Sequence, residues 1–126
     1  MTPLPLEGVR VIDFTQVMLG PSCTQVLGDY GADVIKIEKE KIGDLSRWSL
    51  GSDPDGDRNP VFSSLNRNKK SVALNLKEQQ ARDHVLKLID TADVVVNNFR
   101  PGVMERMGMG YEDLRARNRR IIYAVG

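Results

Sequence analysis

Short apolar, β-branched runs recur along this chain with helix-forming stretches between them, and this alternation limits the fold more than any other feature. Parallel strands covered on both faces by crossover helices read in this way. The runs predict strands over residues 9–15, 33–39, 71–76, 93–99 and 120–125. After the first run, Pro21 sits where a helix would begin, and Cys23, Val26, Leu27 and Tyr30 recur at helical spacing. A helix over 21–30 with that stripe facing inward is expected, ended by Gly31. A second helix over 77–90 would place Ala81, Val85, Leu88 and Ile89 on one face, with charged residues opposite. Pro101-Gly102 marks a turn, followed by a helical turn over 103–107 and a helix over 111–118. The expected fold class is α/β, a Rossmann-like parallel sheet with crossover helices. The last strand has no helix after it, so residues 1–126 read as the N-terminal part of a larger domain, and the isolated chain is expected to aggregate.

The segment 40–60 breaks the pattern, being rich in Gly, Asp, Ser and Pro and longer than most connections in compact domains. Composition excludes several functions. With 18 basic and 17 acidic residues the net charge is +1, so no global field points to nucleic acid or an anionic membrane. A single cysteine, Cys23, forms no internal disulfide. No secretory leader or apolar stretch of spanning length is present, which predicts a cytoplasmic protein without a membrane segment.

Candidate sites divide by position. Asp53 to Asp57 is acidic, but Arg58 and Ser64 stand where a calcium loop needs glycine and glutamate, so a polar turn and no metal are expected. Gly20-Pro21-Ser22-Cys23-Thr24 is either an anion-binding turn at a helix N-terminus or a plain connection. It lacks the spacing of dinucleotide or P-loop motifs. Cys23 is expected in the core and His84 on a solvated or half-buried helix face. Arg67, Lys69 and Lys70 lie just before the third strand and Lys77 just after it. They are either a solvated face or phosphate-holding cations. Lys77 and the segment Asn98-Phe99-Arg100-Pro101-Gly102 both fall at carboxyl ends of parallel strands, where ligands of open α/β sheets bind. Arg115, Arg117, Arg119 and Arg120 read as helix C-terminal charges.

Several ordered segments carry a family resemblance. They are Gly8-Val9-Arg10-Val11-Ile12-Asp13-Phe14, Gly20-Pro21-Ser22-Cys23-Thr24-Gln25, Gly31-Ala32-Asp33-Val34-Ile35-Lys36-Ile37-Glu38 and Gly43-Asp44. Asn68-Lys69-Lys70-Ser71, Leu74-Asn75-Leu76-Lys77, Ala92-Asp93 and Asn98-Phe99-Arg100-Pro101-Gly102 follow in order. Over nearly its whole length the chain resembles the class III (family III) coenzyme A (CoA) transferases, the family that includes formyl-CoA transferase, carnitine CoA-transferase and α-methylacyl-CoA racemase.

The resemblance implies a large CoA-binding domain, of which 1–126 is the N-terminal part, in a protein that forms interlocked homodimers. It implies acyl-CoA and carboxylic acid substrates, exchanged through an aspartyl intermediate whose aspartate lies beyond Gly126; Asp13, Asp33 and Asp93 belong to strand motifs instead. CoA contacts carry over to Val17, Met18, Lys39, Leu74, Asn75, Leu76, Lys77, Asn98, Phe99, Arg100, Arg106 and Met107. Lys39 replaces an arginine common in the family, keeping charge without the bidentate fork. Met18 and Leu19 stand where formyl-CoA transferases carry glutamine and serine, which argues against oxalate or formate as substrate. Two alternatives stay open: an acyl-CoA racemase of the same family, and a non-catalytic CoA- or nucleotide-binding remnant.

Overall fold

The computed structural model describes residues 2–49 and 59–126. Five strands form one sheet in the order β3-β2-β1-β4-β5: β1 Arg10–Asp13, β2 Asp33–Lys39, β3 Lys69–Leu74, β4 Val94–Asn97 and β5 Ile122–Val125. Every neighbouring pair is parallel. The α/β class with a parallel sheet and crossover helices is therefore as the alternation predicts. Helices α1 Leu19–Asp29, α2 Pro60–Leu65, α3 Gln79–Ile89, α4 Val103–Arg106 and α5 Tyr111–Arg117 connect the strands, with a 3-10 turn at Leu45–Trp48.

Strand alternation sorts the core into two layers. Ile12, Phe14, Ile35, Ile37 and Val95 meet Val85 and Ile89 of α3, Met104 of α4 and Leu114 of α5 in the larger layer. Val11, Val34 and Val96 point the other way, into a smaller layer with Ala32 and Leu27. Cover of the edge strand β5 is thin on both faces, with Ile122 61% and Val125 65% exposed.

Three readings are corrected. β3 begins at Lys69 rather than Ser71, because an edge strand accommodates Lys69 and Lys70 in its first register positions against Val34 and Ile35. The second correction concerns α1, which begins at Leu19 and buries Gly20, Pro21, Thr24, Gln25 and Gly28. Its apolar stripe faces outward, with Cys23, Val26 and Tyr30 exposed. Small residues win the inward face because the helix backbone lies close against the central strands and the residues after β1; a Cβ on Gly20 would stand 2.3 Å from Thr15 Cβ. The third is that Gly20 to Thr24 forms the first turns of this helix rather than a connection before it, with Gly20, Pro21 and Thr24 buried and Cys23 exposed. Gly31, at φ 102, ends α1 as expected. His84 is exposed on α3. Asp53 to Asp57 and Arg58 lie outside the described residues.

Candidate functional site

Strand order reverses direction between β1 and β4, so the loops leaving their carboxyl ends diverge and open a crevice. Two clefts occupy it. One of about 300 Å³ is lined by Gln16, Ile37, Glu38, Lys39, Leu74, Asn75, Leu76, Lys77, Phe99, Val103 and Met107. The other, about 490 Å³, is lined by Gln16, Val17, Met18, Leu19, Leu45, Asn98, Phe99 and Arg100. Gln16 and Phe99 border both, so the two form one trough along the rim. Its floor is mostly hydrocarbon with few polar groups converging on it, the usual make-up of a small-molecule site.

The residues expected at a CoA site gather here from four loops far apart in sequence, with one exception. Arg106 is exposed on α4 and lines neither cleft; its guanidinium folds back over the left-handed turn at Gly102. Gln16, Leu19, Ile37, Glu38, Leu45 and Val103 are lining residues outside the expected set. Ile37 was legible as an inward position of β2, and Gln16 as the first polar residue after β1. Val103 depends on how the Pro101-Gly102 turn aims α4, which spacing alone does not give.

The distribution of charge distinguishes this rim. At the amino-terminal side of the sheet Arg67 bonds Asp29 (2.6 Å), and Lys70 and Arg10 share Asp33 (2.5 and 3.0 Å). Lys69 is buried, its ammonium donating to Asp13 (3.1 Å) and to the Pro21 carbonyl (2.9 Å). The phosphate-holding reading of Arg67, Lys69 and Lys70 is therefore corrected: Arg67 and Lys70 are spent on carboxylates at the amino-terminal side, and Lys69 is buried against Asp13 at the end of β1. In contrast, Lys39, Lys77 and Arg100 line the trough with no side-chain hydrogen bond or ion pair among the described residues. Asn98 differs from its neighbours, since its amide oxygen accepts from Gln16 N–H and its amide nitrogen donates to Gln16 C=O, both at 2.9 Å. It braces the loop as well as bordering it.

Beneath the trough runs a buried polar chain. Lys36, 1% exposed, forms an ion pair with Asp44 (2.8 Å) and donates to the Thr15 carbonyl (2.6 Å). Asp44 in turn accepts from the N–H groups of Val17 (3.0 Å) and Ser46 (2.8 Å) and from the Ser46 hydroxyl (2.8 Å). Glu38 accepts from Asp44 N–H (2.8 Å), from both arms of the Arg47 guanidinium (2.8 and 2.9 Å) and from Ser71 (2.7 Å). Burial works to raise both carboxyls, but hydrogen bonds outweigh it, chiefly from Arg47 on Glu38 and from Lys36 on Asp44, and both sit below their ordinary values. Arg47 also stacks over Phe62 at 3.6 Å. The chain ends at Val17, whose φ of 72 is a left-handed conformation that a β-branched residue adopts at a cost of about 1–3 kcal/mol.

None of the strand aspartates offers a free nucleophile. Asp13 is fully buried and accepts from Thr15, Thr24 and Lys69. Asp33 holds Arg10 and Lys70, and Asp93 accepts from Arg10 N–H (2.9 Å). Among the described residues no three His, Cys, Asp or Glu side chains cluster so as to hold a metal ion, and no helix is long and apolar enough to cross a membrane.

The acyl-CoA transferase of Fusarium pseudograminearum is 45% identical over 126 residues, covering 94% of this chain and 28% of that protein. The formyl-CoA:oxalate CoA-transferase of Escherichia coli O6:H1 is 46% identical over 119 residues, with the same coverage of 94% and 28%. Among solved structures, Rv3272 from Mycobacterium tuberculosis superposes with a TM-score of 0.88 at 46% identity, covering 98% of this chain and 33% of that one. The chain thus spans about 28% of the length of the curated relatives it matches. Since the profile of CoA-transferase family III matches residues 6–125, from the turn before β1 to the end of β5, this chain belongs to that family.

Proposed function

We propose that these residues form the CoA-holding rim of an enzyme that moves CoA from an acyl-CoA to a carboxylic acid. One observation carries the reading: an apolar trough at the strand-order reversal, bordered by the cations Lys39, Lys77 and Arg100, which have no side-chain partner among the described residues. CoA has matching parts, a phosphorylated nucleotide for the cations and a pantetheine arm for Ile37, Leu74, Leu76, Phe99 and Met107. Val17, Met18, Asn75 and the loop at Asn98 complete the contacts, with Arg106 reaching in on ligand binding.

The transfer itself is assigned to an aspartate beyond Gly126. Its carboxylate attacks the thioester carbonyl and expels CoA thiolate, leaving a mixed anhydride. The thiolate then attacks the aspartyl carbonyl, releasing the donor acid and forming an aspartyl-CoA thioester. The acceptor carboxylate repeats both steps in reverse, taking CoA and restoring the free aspartate. Residues 1–126 alone are therefore proposed to bind CoA without catalysing transfer. The exposed Leu19, Val26 and Tyr30 of α1 favour a larger assembly around this chain, a homodimer of the complete protein.

The test is calorimetric titration of the full-length protein with CoA and with pantetheine, which lacks the nucleotide. CoA is expected to bind at least about tenfold tighter, equivalent to ~1.4 kcal/mol. Equal affinities, or no binding of CoA, would overturn the assignment of the rim cations to phosphate.

A further inference from the structure

We propose that Asp44 is a positioning residue for the ligand site, its buried carboxylate holding the loop after β1 in the left-handed turn at Val17 that shapes the trough. This rests on the CoA-binding reading above. Three consecutive residues of that loop have their backbone groups pinned from outside it. The Thr15 carbonyl accepts from Lys36, Gln16 is clasped at both N–H and C=O by Asn98, and Val17 N–H donates to Asp44 Oδ1. Val17 is where a fixed hold is needed most, because φ 72 suits glycine or asparagine and opposes a β-branched side chain. Without its acceptor, Val17 relaxes toward negative φ and carries Gln16 and Met18 away from the trough they line.

Asp44 suits this task because it is 1% exposed and fixed on every side. Lys36 answers its second oxygen, Ser46 shares the first, and Glu38 accepts the Asp44 N–H while gripped by Arg47. Support thus passes from Arg47 through Glu38, which also borders the first cleft, and Asp44 to Val17. The arrangement differs from a purely structural ion pair in one respect: its last contact falls on a strained residue of the rim.

The test uses the full-length protein with Asp44→Asn, Val17→Gly and the two combined. An amide at position 44 has one acceptor oxygen in place of two, so it cannot answer Val17 and Lys36 together. CoA affinity is read by calorimetry and the Val17 amide by hydrogen exchange. Asp44→Asn is expected to speed exchange at residues 15–18 at least about tenfold and to weaken CoA binding about tenfold. With glycine at 17, which holds positive φ without strain, adding Asp44→Asn should weaken binding less than about threefold. An equal loss in both backgrounds, or unchanged exchange in Asp44→Asn, would overturn the proposal. If Asp44→Asn does not fold, Lys36→Met with Asp44→Asn removes the opposed ammonium and is read against the same two outcomes. Absence of CoA binding by the unaltered protein refutes the CoA reading alone, and the exchange measurement then decides the clamp by itself.

Discussion

Replacing Arg47 by alanine tests whether the buried chain under the trough is held by charge. Arg47 supplies two of the hydrogen bonds received by Glu38, a carboxylate only 3% exposed. Two bonds to a buried charge, at ~1.5–3 kcal/mol each, are offset in part by the Ser71 and Asp44 N–H donors that remain. Loss of the stack on Phe62 adds ~0.5–1 kcal/mol. Arg47→Ala should therefore cost about 3–5 kcal/mol, the range for breaking a buried ion pair from one side. The sign of a second substitution is more telling than the size. In the unaltered protein Glu38→Gln should destabilise, because it replaces the carboxylate that receives both Arg47 bonds with a neutral amide offering one acceptor oxygen. In the Arg47→Ala background the same change should stabilise by ~1–2 kcal/mol, because it removes an unanswered buried charge. Urea unfolding of the four proteins at neutral pH measures the cycle. Glu38→Gln destabilising both backgrounds equally would refute the claim that charge pairing holds this chain.

Further expectations follow from the same geometry. Lys77→Ala should weaken CoA binding about tenfold by calorimetry while leaving the urea midpoint in place, since Lys77 is exposed and carries no ion pair among the described residues; unchanged affinity would remove it from the site. Stability should fall in acid: Glu38 and Asp44 are held below their ordinary values when folded, so their contribution is present above the unfolded values of ~3.9–4.3 and lost as pH falls through the folded ones. Glu38→Gln should accordingly shrink the drop in urea midpoint between neutral pH and about pH 3. Gly20→Ala should destabilise by ~1–3 kcal/mol despite alanine's better helix propensity, because the new methyl meets Thr15 Cβ at 2.3 Å; a more stable protein would show that α1 can shift outward freely.

Much of the fold could be read from the sequence because runs such as Val9 to Thr15 and Asp33 to Lys39 owe their pattern to burial on both faces. The reading failed where burial is not apolar. Lys69 opens β3 yet looks like part of a basic run, since its carboxylate partner, Asp13, lies 56 positions away. The inward face of α1 is made of Gly20, Thr24 and Gly28, chosen for close approach and for hydrogen bonding to Asp13, while hydrophobicity pointed to the opposite face. The rim was legible for a different reason: ligand contacts cluster at the carboxyl ends of strands, so placing the strands places Lys39, Lys77 and Phe99. What supports the rim was hidden. Lys36 reads as an interruption in an apolar strand, and Asp44 as one polar residue in a loop. Only the packing of that loop against β1 and β2 brings them to 2.8 Å.

The unequal pairing of cations on the two ends of the sheet separates the ionic-strength response of folding from that of ligand capture. The charges that matter to the fold are buried or already neutralised, and added salt reaches them little. Lys39, Lys77 and Arg100 stand open to solvent around the trough, so counterions compete there first. Added salt should therefore weaken the proposed hold on an anion at the trough before it loosens the sheet, and a rim lysine can be exchanged without disturbing the pairs that keep the sheet together.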